Sequence, residues 1–295
     1  MHSITWTGQL HALSSIAHGG ETRGTVTLLR RERILRDGQP TSVPIVSGNS
    51  WRGRLRRLAE EQLREAIGYE GELSLAAAHA LRAGGSLAKG STALTGARLR
   101  TVRQLVPPLA IFGGAVGRTI EGALQVGKLI PHIAETSHLT GDEQAPSVFS
   151  LVQLETYTRL DEGDRPGTST LMHTQGLQLL DDGTVDLTLL DMRADEPSEV
   201  PGSFVWRIET LPAGTVFDTW LRLEHVDELT LSFFVDLLDR FAQHGHIGGR
   251  AASGHGRVRS DLRPDGELPL TLPDWRSELA GRRDEVLAAI ALLGS

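Results

Sequence analysis

GNSWRGRLRR, residues 48–57, places a tight loop directly before a helix that has four arginines in its first two turns. Ser50 is suited to an N-cap and Gly68 to the C-terminal end of this helix. Its apolar face comprises Trp51, Leu55, Leu58, Leu63, Ala66 and Ile67. Free amides at a helix start, followed by arginines, are suited to binding phosphate. The alternative is a solvated face on which the arginines pair with glutamates of the same helix, Glu60, Glu61 and Glu65.

Strands and helices alternate on both sides of this stretch. Ile4, Trp6, Gly8 and Leu10 alternate with polar residues, which predicts a first strand with one buried face. Further strands are predicted at 24–29, 109–114, 124–129, 204–210 and 216–223, and further helices at 73–81, 229–241 and 275–293. This alternation favours an α+β fold with helices packed on one face of a sheet.

Residues 135–203 differ in composition from the rest, because Thr, Asp, Glu, Gly and Pro become more frequent. Within them, residues 177–190 form a hairpin candidate with a turn at Asp181-Asp182-Gly183. We expect this region to be an insertion that projects from the core.

Charge is unevenly distributed along the chain. The formal net charge is −7, yet residues 1–103 hold 15 Lys and Arg against 8 Asp and Glu. The total is acidic, but the basic third can still neutralise phosphates. The absence of Cys excludes disulfides, zinc ribbons and thiol nucleophiles. No stretch resembles a signal peptide or a membrane span, so we expect a cytoplasmic protein without membrane contact.

A second candidate phosphate site is IGGRAASGHGRV, residues 247–258, within a segment that holds five glycines and two arginines between 245 and 258. Such a loop can present backbone amides to an anion. It follows a predicted helix, so it does not match a dinucleotide fingerprint, and it lacks the Gly-Lys-Ser/Thr ending of a P-loop. The alternative is a flexible surface loop.

These segments, taken in order, resemble the RAMP superfamily of CRISPR-associated proteins, and within it the backbone subunit that polymerises along a guide RNA. GNSWRGRLR at 48–56 is similar to that subunit's loop-to-helix motif, with Asn49 and Arg52 as departures. IFGG at 111–114, IETLPAGTVF at 208–217 and the glycine-rich loop at 247–258 resemble three further motifs. SSIAHGG at 14–20 is most similar to the type IV branch.

The resemblance implies one RRM-like (ferredoxin-like) domain over residues 1–295, with an inserted β-hairpin thumb at about 150–203. It implies a subunit that holds CRISPR RNA (crRNA) through its phosphates, without a cofactor. The expected partners are crRNA, further copies stacked head to tail, other effector-complex subunits and a target nucleic acid that pairs with the guide. The expected RNA-binding residues are Ser14, His18, Gly48, Asn49, Ser50, Arg52, Arg54, Arg56, Gly113, Gly114, Arg118, Gly248, Gly249, Arg250, Ser253 and His255.

The main alternative is an endoribonuclease of the same superfamily, either target-cleaving like type III subunits or guide-processing. The resemblance places the type III aspartate in the loop after the first strand, where this chain has Glu21 but no Asp. His11 and His18 are candidates for general acid–base catalysis. The closely spaced histidines His244, His246 and His255 match no zinc spacing, and no Gly-x-Ser-x-Gly elbow occurs. We therefore expect no catalytic residue and no metal ligand.

Overall fold

The computed structural model describes residues 1–71, 73–85, 94–116, 118–159 and 204–294. The strands are β1 (His2–Ala12), β2 (Gly19–Arg23), β3 (Val26–Leu29), β4 (Arg31–Arg36), β5 (Gln39–Pro44), β6 (Gly114–Val116), β7 (Arg118–Ile120), β8 (Leu124–Val126), β9 (Ile130–Pro131), β10 (Gln153–Arg159), β11 (Phe204–Thr210), β12 (Val216–Val226), β13 (Val258–Ser260) and β14 (Arg263–Pro264). The helices are α1 (Gly48–Ala66), α2 (Leu75–Ala83), α3 (Gly96–Leu105), α4 (Pro107–Phe112), α5 (Ser137–Thr140), α6 (Val148–Leu151), α7 (Glu228–His244), α8 (Trp275–Gly281) and α9 (Arg283–Ala291). No helix in these ranges is long and apolar enough to cross a bilayer.

The central sheet has the strand order β13, β1, β12, β8, and every pairing in it is antiparallel. These four strands follow each other along the chain as β1, β8, β12 and β13, so their spatial order is 4-1-3-2. Helix α1 lies between the first and second of them, and α7 lies between the third and fourth. This is the arrangement of a ferredoxin-like sheet. The predicted α+β fold class with an RRM-like core is confirmed.

Helices cover one face of this sheet. The Trp6 ring meets Phe234 of α7 edge to face at 5.1 Å, and Trp51 of α1 lies 5.9 Å from Phe241 of α7. On the opposite face, Trp220 of β12 is 42% exposed. The period-2 pattern of the sequence therefore orients β1 and β12 as expected, with one buried and one open face.

The N-cap of helix α1 lies three residues before the predicted N-cap, Ser50. The N-cap is Ser47, which has an extended backbone conformation. Its Oγ accepts a hydrogen bond from the Ser50 amide at 3.3 Å. Ser50 itself lies in the first turn. At the other end, Gly68 has a φ of 57° immediately after the C-cap Ile67, so its predicted role in ending the helix is confirmed.

The predicted strand at 109–114 was wrong, because most of it belongs to α4. Pro107 and Pro108 occupy the first helical positions, where a missing N–H costs no hydrogen bond. All six residues of α4 are buried, so its apolar run has no polar face from which the helical period could be recognised. Gly113, with a φ of 61°, ends the helix and leads into the β6–β7 hairpin.

A second sheet has the order β10, β11, β3, β2. Its strands β10 and β11 pair antiparallel from Gln153↔Thr210 to Arg159↔Phe204 and flank residues 160–203. The hairpin predicted at 177–190 lies outside the described residues. The arginine-rich segment that follows β3 forms the β4–β5 hairpin, which the sequence did not predict.

Candidate nucleic-acid interface

Three segments that are far apart in sequence meet beside the start of α1. They are the loop after β1 (residues 13–18), the first turn of α1, and the glycine-rich loop before β13 (residues 245–257). The Gly249 amide donates to the Ala17 carbonyl at 2.6 Å. The Arg257 amide donates to the Ser14 Oγ at 3.0 Å. These bonds bring the two loops predicted from SSIAHGG and IGGRAASGHGRV together.

The Gly48 and Asn49 amides at the start of α1 have no intrahelical acceptor, whereas the Ser50 amide is bonded to Ser47. Gly48 is required there because a Cβ would lie 2.7 Å from the Val126 carbonyl oxygen. An open recess surrounds this end of the helix, with three cationic side chains among its lining residues: Arg30, Arg31 and Lys128. We did not predict these cations as ligands, although the run of arginines after β3 was visible in the sequence.

Two of the three cations have acidic partners. Arg31 Nη1 lies 2.8 Å from Glu209 Oε2, and Lys128 pairs with Glu32. Arg30 has no side-chain partner among the described residues, and it is exposed. Asn49 is exposed in the same recess. Arg30 and Asn49 are therefore the side chains here that are free to meet an anion.

His18 joins the loop after β1 to the start of α1. Its Nε2 accepts a hydrogen bond from the Ser47 amide at 3.2 Å, so that nitrogen is unprotonated. Burial, and then the charge of Arg30, lower the pKa of His18 below its usual value. His18 is thus a neutral structural link at this position, with Nδ1 carrying the ring proton.

The glycine-rich loop packs its backbone tightly on the loop after β1. Gly248 has a φ of 73°, and a Cβ there would lie 2.6 Å from the Ala17 carbonyl oxygen. Arg250 also has a positive φ, 60°, and its guanidinium lies 5.7 Å from the centre of the Tyr157 ring. Arg250 and Ser253 are both exposed. The loop therefore presents one arginine and one hydroxyl beside the meeting point of the three segments.

His255, also predicted as an RNA ligand, is instead the centre of a buried network. It is 3% exposed, its Nδ1 lies 2.9 Å from Ser15 Oγ, and its Nε2 contacts the Tyr157 hydroxyl. Glu155 Oε2 is 3.7 Å from the same nitrogen. The prediction of a direct RNA contact is corrected for this side chain, because both ring nitrogens already have partners and the ring is shielded from solvent.

This network connects the base of β10 and β11 to both loops. Thr210 donates to Glu155 at 2.8 Å. Burial tends to raise the pKa of Glu155, but hydrogen bonds from Thr210 and Ser15, together with nearby His255, outweigh it and lower that pKa. The carboxylate is therefore ionised and held in place. Ser15 lies 240 residues from His255, so no sequence spacing indicated this cluster.

Arg52 and Arg56 were predicted to hold phosphates, but the structure turns their side chains inward. Arg56 is 8% exposed and donates to the Phe112 carbonyl at 2.7 Å and the Gly113 carbonyl at 3.0 Å. Arg52 donates to Phe112 at 2.7 Å and to Leu124. Burial, and then the charge of Arg52, lower the pKa of Arg56 to about 10. The phosphate role is therefore corrected for Arg56, whose guanidinium caps the carbonyl end of α4, and Arg52 shares that function.

The remaining predicted residues lie along this second group of contacts. Gly113 is tightly packed, since a Cβ would meet the backbone of residues 120–122, and its carbonyl faces Arg56. Gly114 begins β6 and Arg118 begins β7. Arg54 is half-buried, lies near Arg57, and has an Nε without a partner among the described residues. The predicted residues thus form two groups, one at the start of α1 and one along its second turn.

No group of His, Asp and Glu that could hold a metal ion occurs among the described residues. Glu21 is exposed on β2 and pairs with Arg23 at 2.5 Å. Asp37, the first aspartate in the sequence after this loop, is at the β4–β5 turn with a φ of 51°. Neither carboxylate lies within the three segments that meet beside α1.

Comparison with known proteins agrees with this geometry. A search among curated proteins gives no match. A solved structure described as "Type IV-B CRISPR Complex" contains a chain that is 32% identical to this one, with a TM-score of 0.62. The match covers 94% of this chain and 99% of that chain. The family model of the RAMP superfamily matches residues 24–259, which include α1, β12 and the glycine-rich loop. The chain therefore belongs to the RAMP superfamily.

Proposed function

We propose that this protein is a crRNA-binding backbone subunit of a type IV CRISPR effector complex. The observation that supports it is the meeting of the loop after β1 and the glycine-rich loop with the free end of α1, beside Arg30, Asn49 and Arg250. Exposed backbone amides and a few cations bind phosphates without contacting the base edges. Such a grip leaves guide bases free to pair with a target.

The proposed RNA contacts are the predicted or newly identified residues that offer an exposed side chain or a backbone group at this end of α1. They are the Gly48 and Asn49 amides, the Asn49 and Arg30 side chains, the Gly248–Gly249 backbone, Arg250 and Ser253. Ser14, Ser50, His18, Arg52, Arg56 and His255 hold the loops in position. The thumb predicted at about 150–203 belongs to this proposal. Residues 160–203 of it lie outside the described residues, and β10 and β11, which flank them, reach the network around His255.

The relationship to a chain of a type IV-B CRISPR complex supports this assignment, because the two chains match over almost their full lengths. Copies of one subunit that bind successive segments of a guide must each offer the same surface, which favours head-to-tail stacking. In this arrangement other effector subunits join the stack, and the target pairs with the guide that it holds.

Binding assays test the proposal. The purified protein is titrated into labelled single-stranded RNA over a range of salt concentrations, with fluorescence anisotropy as the readout. Arg250→Ala should weaken binding and reduce the slope of log K against log salt by about 0.7 for one lost phosphate contact. Arg222→Ala is the matched control, since Arg222 is exposed on β12 and pairs with Glu224. A monodisperse protein that ignores single-stranded RNA would overturn the proposal.

A superfamily endoribonuclease is the second candidate, and the contact between Ser15 and His255 is the observation that favours it. Against it, the imidazole is buried and its second nitrogen contacts a tyrosine hydroxyl, so its hydrogen bonds serve to join the loops to β10. Incubation of labelled guide or target RNA with a divalent metal should give no products. Specific cleavage that is lost in Glu21→Ala, His18→Ala or His255→Gln would establish the enzyme instead.

A further inference from the structure

The two edges of the central sheet carry surfaces of opposite charge. At the β8–β9 edge, the β4–β5 hairpin is attached through the bridge between Val46 and Leu129 and the ion pair between Lys128 and Glu32. We call this element the basic hairpin. At the other edge, residues 261–274 follow β13. They include β14, which pairs with β1. We call this segment the acidic loop. The full width of the sheet separates them.

The exposed face of the basic hairpin combines a cation with an apolar side chain. Exposure alternates along β4, with Arg31, Arg33 and Leu35 outward. Leu35 is 68% exposed, and across the hairpin it faces Pro40, while Arg33 faces Ser42. Arg33 has no ion-pair partner among the described residues. An exposed leucine contributes little to phosphate binding, whereas protein–protein interfaces bury such apolar side chains.

The acidic loop has the complementary combination. Leu268 and Leu272 pack against the core, and the alternation leaves Leu270 completely exposed between them. The carboxylates along this segment are Asp261, Asp265, Glu267 and Asp274, against the single cation Arg263. Asp265 and Glu267 are exposed. Leu268 and Leu272 thus anchor a short projection that carries an apolar side chain beside acidic ones, and its negative charge disfavours RNA.

We propose that the basic hairpin of one copy docks on the acidic loop of the next copy, with Leu35 against Leu270 and Arg33 beside Asp265 and Glu267. The two surfaces differ and lie on opposite edges of the sheet, so the contact is heterologous and each added copy leaves one surface free for another. The inference rests on the proposed function, because it names the surfaces by which the stacked copies meet. It assigns the carboxylates of the acidic loop to subunit contact.

The test compares RNA that accommodates one copy with RNA that accommodates several. Anisotropy titrations use single-stranded oligonucleotides of about 10 and about 60 nucleotides, and electron microscopy measures assembly length on the longer one. Leu35→Asp and Arg33→Glu should leave affinity for the short RNA unchanged, and should weaken apparent affinity for the long RNA about tenfold while shortening the assemblies. Leu75→Asp is the control, since Leu75 is 77% exposed at the start of α2, away from both edges.

A charge exchange then tests the pairing itself. Because each copy has both surfaces, Arg33→Glu combined with Glu267→Arg in one chain restores opposite charges at every interface, so long assemblies should return. If Arg33→Glu weakens the short RNA equally, the hairpin is an RNA contact and the inference is overturned. Unchanged assembly in the single variants, or no recovery in the double variant, would also overturn it. Absence of wild-type binding to either RNA would instead refute the proposed function.

Discussion

Replacement of Arg56 by methionine should destabilise the fold and leave RNA binding by the folded protein intact. Methionine fills most of the volume of the arginine side chain but donates no hydrogen bond. Two strong donations are lost, to Phe112 at 2.7 Å and to Gly113 at 3.0 Å. Hydrogen bonds from a charged donor contribute about 1.5–3 kcal/mol each. The Phe112 carbonyl keeps its hydrogen bond from Arg52 at 2.7 Å, so it is not left unpaired in the variant. Most of the stabilisation at that carbonyl is therefore retained.

The expected loss is therefore about 3 kcal/mol in the free energy of unfolding. For a chain of this size, such a loss lowers Tm by about 5–10 °C. Urea unfolding followed by circular dichroism measures the free energy, and differential scanning calorimetry measures Tm. The matched control is Arg57→Met, one position along the same helix, where the side chain is exposed. Its free energy of unfolding should change by less than about 0.5 kcal/mol.

The salt dependence of RNA binding separates this explanation from the phosphate role expected of the motif. Measured at a temperature where both proteins are folded, Arg56→Met should keep the wild-type slope of log K against log salt. If the variant unfolds like the wild type and its slope decreases by one phosphate contact, Arg56 binds RNA and the reasoning from its buried carbonyl contacts is wrong.

Three further outcomes are expected. Gly248→Ala should destabilise the protein by about 1–3 kcal/mol more than Gly254→Ala, because both glycines have positive φ but only at 248 would a Cβ clash with backbone; equal urea midpoints would contradict this. The pKa of His18 is lowered in the folded state, so the unfolded chain binds more protons below the usual value of about 6.5. Stability should then fall as pH decreases from 7 towards 5, and His18→Gln should reduce that dependence; an unchanged pH profile in the variant would refute it. Tyr157→Phe should cost about 1 kcal/mol through loss of the hydroxyl contact with His255, while its ring stacking on Trp206 at 5.7 Å remains; a neutral result in urea unfolding would argue against the network.

Elements with an amphipathic period could be predicted from the sequence. β1 and β12 alternate cleanly, and α1 and α7 each have an apolar face, so the α+β class and the main helices were predicted correctly. The segment at 109–114 failed because α4 is buried on every side and offers no period. The N-cap of α1 was placed at Ser50 because two serines lie three residues apart, and only the extended backbone at Ser47 distinguishes them.

The sequence predicted which segments form the candidate site, but not what each side chain does there. Gly48 and the glycine-rich loop were identified from composition, and the structure brings them to the same end of α1. The direction of an arginine depends on which acceptors tertiary packing places beside it. Arg56 turns inward because the carbonyl end of α4, more than fifty residues later, lacks helical donors. Contacts such as Ser15 with His255 have no local signature at all.

The position of β1 in the middle of the sheet has a consequence for how the protein is made. Its partners are β12 and β13, which end at residues 226 and 260, so β1 stays unpaired until more than 200 further residues have been synthesised. Contacts this distant in sequence make folding slow and leave both edges of β1 open to wrong pairing in the meantime. The loops that meet beside α1 come from residues 13–18 and 245–257, and they can assemble only in that last stage. An incomplete chain would thus lack the surface that we propose for RNA, and truncated copies could not occupy places on a guide.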